Sequence, residues 1–302
     1  MTNTLQLAVG TVDALRQYHQ AAKDRDEHQS EQHTILILDK NLQCFPWESM
    51  PCLSGQAISR LPSLGCLRNR ILQQRSRQEQ RDYNGTDRER FYISGRNGAS
   101  LLNPAGDLMA TQQRLEQPLQ GLAGWENVIQ REPTETEMKH LLEDHDLFLY
   151  FGHGSGGSFI RSRTIKKLQK CAVALLMGCS SGELVQAGEF EPYGMPINYM
   201  QAGCPALVAN LWDVTDRDID RFSQTVLETW GLFHTAQPQS SPMKGSAKHK
   251  GKNKMEKFER VEAWDHSPLA LDQAVAKGRD SCKLRYLNGA APVIYGVPVY
   301  LS

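Results

Sequence analysis

Two residues of the chain carry the chemistry to be expected of it. His153 lies within GHGSGG and Cys179 within MGCSSG. A thiol becomes a strong nucleophile once its proton is lost, and an imidazole can take or return a proton near neutral pH. Small neighbours around Cys179 let a substrate carbonyl approach the backbone closely. The amides of Cys179 and Gly154 are then candidates for holding a developing oxyanion. Taken alone, Cys179 also reads as a buried cysteine beside a turn, and His153 as a loop histidine. Two such turns in one chain shift the balance toward catalysis. The glycine cluster lacks the trailing Lys-Ser/Thr of a phosphate loop and fits GxGxxG poorly, so nucleotide binding is not expected.

A third feature is acidic. Asp213, Asp216, Asp218 and Asp220 crowd the stretch LWDVTDRDIDRF. A helix N-terminus favours carboxylates through its dipole, and Arg217 and Arg221 are natural partners, so stability alone accounts for any one of these aspartates. Asp216 and Asp220 share a helix face at i, i+4, and Asp213 sits at a strand end. A carboxylate beside the reactive edge would suit an arginine side chain of a substrate.

The elements that must position these groups follow from apolar runs. Residues 147–151 (LFLYF) and 172–177 (AVALLM) are short and almost continuously apolar, the pattern of strands covered on both faces. As parallel neighbours they would bring both glycine turns to one carboxyl edge, where α/β proteins place their sites. Residues 158–170 are long enough for the crossover. Strands are also expected at 34–38, 91–94, 100–103 and 205–212, with two more in the last stretch, LRYLNGAAPVIYGVPVYL. Helices are expected from 63 to 81, turning charge-rich, from 134 to 143, from 193 to 203, after Asp213, and from Ser267-Pro268 to 282. Thr134 and Glu137 form a capping box for the second of these. Residues 74–90 read as a polar loop or helix tip. Alternating strands and helices indicate an α/β/α sandwich with a mostly parallel sheet.

The 302-residue chain has net charge zero, which gives no general argument for nucleic acid. No apolar run approaches about 18 residues, so no membrane span is expected, and residues 1–10 lack the parts of a signal peptide. Seven cysteines without CxxC spacing suggest a reducing compartment and no structural zinc. The expected organisation is a polar helical lead-in (1–33), a core (34–235), a disordered basic insert (236–260) and a C-terminal helix and strands completing the core (261–302). The insert reads as a solvated linker, with nuclear import as the sharper alternative.

Six stretches carry a family resemblance: LDKNLQCFPWESMP, FYI…LLNPAGDL, FLYFGHGSGG, LLMGCSSGEL, YGMPINYMQAGCPALVANLWDVTDRDIDRF and YLNGAAPVIYGVPV. They run in order from about residue 34 to the end and resemble the C-terminal protease domain of the separase (separin) family. The long helical N-terminal region of that family is not among them. The resemblance implies a caspase-like fold with the His and Cys strands adjacent, and no cofactor. It implies a cysteine endopeptidase that cleaves the kleisin subunit of cohesin after arginine, in ExxR-like sites, releasing sister chromatids at anaphase. His153 would be the catalytic histidine, Cys179 the nucleophile, and Asp220, then Asp213, the arginine-binding acid, with Asp216 nearby. It further implies securin as a pseudosubstrate inhibitor, the helical N-terminal region as a partner, and a nuclear and cytoplasmic location, chromosome- and spindle-associated in mitosis. The alternatives are a CHAT-type caspase-like peptidase, which the C-terminal YLNGAAPVIYG disfavours, and a catalytically silent peptide-binding domain.

Overall fold

The computed structural model describes residues 32–80, 90–233 and 269–302. Its centre is an eight-stranded sheet built from β1 (His33–Leu36), β2 (Ala57–Arg60), β4 (Gly98–Leu102), β5 (Glu126–Ile129), β6 (Leu147–Phe151), β7 (Val173–Leu176), β10 (Ala206–Asn210) and β11 (Pro292–Gly296). The spatial order is β1-β2-β11-β10-β7-β6-β4-β5. Five neighbours, β10, β7, β6, β4 and β5, all run parallel. β11 lies antiparallel to β10 and parallel to β2, so it joins this block to the β1–β2 pair. Two small ribbons complete the strands: β3 (Phe91–Ile93) with β12 (Val299–Leu301), and β8 (Val185–Ala187) with β9 (Phe190–Tyr193).

Strand alternation divides the core into two layers. Leu147, Leu149, Phe151, Val173, Leu175 and Val208 face one way, onto α2 (Met109–Gln120), α6 (Asp216–Trp230) and α7 (Leu271–Gly278). Phe148, Tyr150, Ala174, Leu176 and Leu207 face the other, onto α3 (Glu135–Glu143), α4 (Ser162–Ile165) and α5 (Met195–Gln201). Successive side chains of a strand point to opposite faces, so covering both faces requires the continuous apolar runs seen in the sequence. The result is a three-layer α/β/α sandwich. The expected capping box at Thr134 is present: Thr134 accepts from the Glu137 amide, and the Glu137 carboxylate accepts from the Thr134 amide. No described helix is long and apolar enough to cross a membrane.

Several expectations change in detail. The helix expected over 193–203 is shorter, because Tyr193 ends β9 and Gly194 carries the turn. The crossover between the His and Cys strands holds a single helical turn, α4. The helix over 63–81 is α1 (Leu64–Gln80). The lead-in to residue 31, residues 81–89 of the polar 74–90 stretch, the basic insert and the Ser267-Pro268 cap lie outside the described residues. Residues 57–60 and 126–129 are strands that the periodicity does not reveal.

β2 was hidden by its own chemistry, since its last residue is a fully buried arginine. Arg60 donates from Nε and Nη2 to the two oxygens of Glu48, at 2.6 and 2.7 Å, and from its other hydrogens to the carbonyls of Gln43 and Phe45. Both partners are about as buried as the apolar core. A buried pair of this kind costs most when one partner is removed, because an uncompensated charge remains. Glu48→Gln is therefore expected to destabilise the chain by about 3–5 kcal/mol, read as a lower urea midpoint. Combining Glu48→Leu with Arg60→Met should recover part of that loss.

Candidate active site

The carboxyl ends of three adjacent parallel strands form the reactive edge. β6 ends at Phe151 and leads into the His153 turn, and β7 ends at Leu176 and leads into the Cys179 turn. Leu147, Phe148, Leu149 and Tyr150 pair in register with Val173, Ala174, Leu175 and Leu176, so the two turns leave the sheet side by side. They then touch backbone to backbone. A Cβ on Gly178 would lie 2.0 Å from the Gly154 carbonyl oxygen and 2.5 Å from that of Gly152, so only glycine fits there. Gly154 takes φ +61°, a left-handed conformation that turns the chain back over the cysteine. Below the turn, the buried Tyr150 hydroxyl donates to the His153 carbonyl at 2.6 Å. Burial pushes the Tyr150 pKa up and keeps the phenol protonated for that bond.

The Cys179 turn is tied to the end of β10. The Asn210 side-chain amide donates to the Gly178 carbonyl at 3.0 Å, and the Gly182 amide to the Asn210 carbonyl at 2.7 Å. Ser181 Oγ donates to the Leu176 carbonyl and accepts from the Asn210 amide. The half-buried Cys179 thiol donates to the Val214 carbonyl at 3.2 Å. The amides of Gly154 and Cys179 make no hydrogen bond to the described residues.

The cleft at this edge spans about 350 Å³, including the solvent at its open mouth. Its lining includes Leu108, Thr111, His153, Cys179, Val214, Asp216, Ile219 and Asp220. His153, Cys179, Asp216 and Asp220 therefore meet in one place. Asp213 does not line the cleft; it accepts from Ser180 Oγ at 2.6 Å on the exposed side of the cysteine turn. Sequence reasoning missed two contributors. Asp107, in the LLNPAGDL stretch, accepts from His153 Nε2 at 2.8 Å. Thr111, on the first turn of α2, donates to Asp220 Oδ2 at 3.1 Å. Only the motif around Asp107 offered a signal for the first, and helix α2, with few apolar residues and an internal Pro118, gave none for the second.

Two aspartates of α6, two residues apart, have opposite fates. Burial opposes ionisation of Asp218, yet it accepts from the Asn288 side chain, the Leu284 and Lys283 amides and Arg221, and these hold its pKa at about 2. It fastens the start of α6 to the loop before β11. Asp220 is equally buried, and burial pushes its pKa up to about 6, with Thr111, Arg114 and Arg221 only partly offsetting the effect and Asp216 adding repulsion. Among the described residues no group of three or more His, Cys, Asp or Glu is arranged to hold a metal. All seven cysteines are free, with Cys171, Cys204 and Cys282 in the core.

The sign of the Asp220 effect follows from its raised value. The unfolded carboxyl ionises near 3.8 and the folded one near 6, so the penalty develops between these pH values and is full above them. Asp220→Asn should stabilise the free chain at pH 8 by about 1–2 kcal/mol, allowing for residual solvation, and by nothing at pH 3. Paired urea titrations at the two pH values measure it.

Residues 1–219 match the model for the separin protease domain. The chain is 50% identical over 292 residues to the separin of Emericella nidulans, covering 97% of this chain and 13% of that protein. It is 42% identical to the separin of Schizosaccharomyces pombe, covering 99% of this chain and 14% of that one. Its fold is similar to a solved Saccharomyces cerevisiae separase–securin complex, with TM-score 0.71 and 33% identity over 90% of this chain and 16% of that one. The chain thus spans about one-seventh of the length of the curated relatives it matches.

Proposed function

The chain belongs to the separin protease-domain family, and from that premise we propose that it is a cysteine endopeptidase that cleaves after arginine. One observation carries this reading: a glycine-framed histidine, a cysteine and a buried, incompletely compensated aspartate line the same cleft. The substrate lies extended across the carboxyl edge of β6 and β7, with its arginine guanidinium at Asp220 and Asp216 alongside. The Cys179 thiol gives its proton to His153, and the sulfur adds to the scissile carbonyl carbon. The displaced electron pair settles on the carbonyl oxygen, where the Gly154 and Cys179 amides donate to it. Collapse breaks the C–N bond as His153 protonates the departing amine. Water, deprotonated by His153, then displaces the sulfur, releasing the acid and restoring the thiol.

The substrate class on this reading is the kleisin subunit of cohesin, cut at ExxR-like sites to release sister chromatids, in the nucleus and cytoplasm. Securin is the proposed inhibitor, in keeping with the securin complex of the S. cerevisiae relative. The helical N-terminal region of the family is a further proposed partner.

Intact-mass spectrometry after incubation with an arginyl acyloxymethylketone tests the reading. One adduct is expected, absent in Cys179→Ser, and labelling in Asp220→Ala should fall roughly 100-fold or more for arginine with little change for neutral probes. Equal loss across all probes would count against an arginine-binding role. Because the free Asp220 carboxyl titrates near 6, kcat/KM for arginine peptides should decline as pH falls through that value. An unchanged profile down to pH 5 would contradict the pairing.

A further inference from the structure

We propose that Asp107 is a positioning residue for His153, making the site a Cys–His–Asp arrangement delivered by three neighbouring strands. The inference rests on the peptidase reading and adds a residue to it. β4, β6 and β7 lie side by side and parallel, and each sends one group to the same edge: Asp107, His153 and Cys179. The Asp107 carboxylate accepts from His153 Nε2 at 2.8 Å. An ionised carboxylate has no hydrogen to give, so Nε2 must carry the proton and Nδ1 is left as the working nitrogen. A freely tautomerising ring would spend part of its time with the wrong nitrogen protonated, and a fixed partner removes that fraction.

The loop bearing Asp107 is built to hold still. Asn103, fully buried, donates its amide to the Phe151 carbonyl at 2.8 Å, two residues before His153. Its side-chain oxygen accepts from the Leu108 amide at 2.9 Å, and its side-chain nitrogen donates to Gln112 Oε1 at 2.8 Å. The Gly106 amide donates to the Asn103 carbonyl at 3.1 Å and closes the turn. Asp107 and His153 are thus referenced to the same point on the β6 end. The side chains are 58% and 60% exposed, and an ion pair so open to water contributes little to stability. Orientation of the ring is what the contact supplies.

The test uses the whole 302-residue chain with labelled histidine. Ring-nitrogen NMR of His153, assigned by its loss in His153→Gln, reads the tautomer, and peptide cleavage reads the chemistry. Asp107→Ala is expected to lower the Nε2–H fraction to that of an untethered imidazole, which is a mixture of both tautomers, and to lower kcat about 10- to 100-fold with KM within about twofold. Asp107→Asn, which can still accept through Oδ1, should fall between, and Asp107→Glu should recover part of kcat. An unaltered tautomer, or kcat within about twofold of the parent chain in Asp107→Ala, overturns the assignment. If the parent chain itself cleaves and labels nothing, the peptidase reading falls, while the ring-nitrogen measurement still upholds or overturns the role of Asp107.

Discussion

The contact on which the site depends is one with no side chain in it. The His153 turn lies directly on the Cys179 turn, main chain against main chain, because Gly178 leaves room for the carbonyls of Gly152 and Gly154. Everything else serves that contact. The register of β6 with β7 brings the turns together, the Tyr150 hydroxyl supports one from below, and Asn210 and Ser181 tie down the other. Close-packed interiors transmit small displacements rather than absorb them. A methyl group at this point would therefore separate the imidazole from the thiol without touching either.

The electrostatics of α6 show how one helix start can serve both structure and binding. Asp218 is saturated with donors from the loop before β11, and its charge is neutralised within the fold. Asp220 receives a single hydroxyl and only the more distant fields of Arg114 and Arg221, and its charge is incompletely answered within the fold. The difference is one of supply, since the two carboxylates are about equally hidden from solvent. A buried acid that the fold declines to satisfy is a common mark of a binding position.

Much of this was legible in the residues. The two strands flanking the reactive edge are continuous apolar runs, and runs this short, bounded by glycine turns, fit strands covered on both sides. The glycine turns and the capping box at Thr134 were equally plain. β2 was not, because its buried charge is answered by Glu48, twelve positions away, and local pattern carries no trace of such an answer. Helix α2 is similar: its polar face hides the few leucines that seat it, and Pro118 argues against it locally. The four crowded aspartates could be recognised as a group, but not told apart. Which accepts three amide donors and which faces the cleft is decided by residues 70 positions downstream and 109 upstream.

The place of β11 has a consequence for how the molecule comes together. Strands β1 and β2, near the front of the chain, reach the main parallel block only through residues 292–296, near its end, by way of the Arg60–Tyr295 pairing and the Ser59 hydroxyl on the Gly296 carbonyl. A ribosome makes the early strands long before it makes their neighbour. The stretch around Trp47 and Arg60 must wait, its sheet edge open, while the five parallel strands assemble beside it. β11 then inserts between β2 and β10, both of which are made before it. A product stopped short of residue 292 would keep its histidine and cysteine yet leave β2 without its neighbour in the sheet.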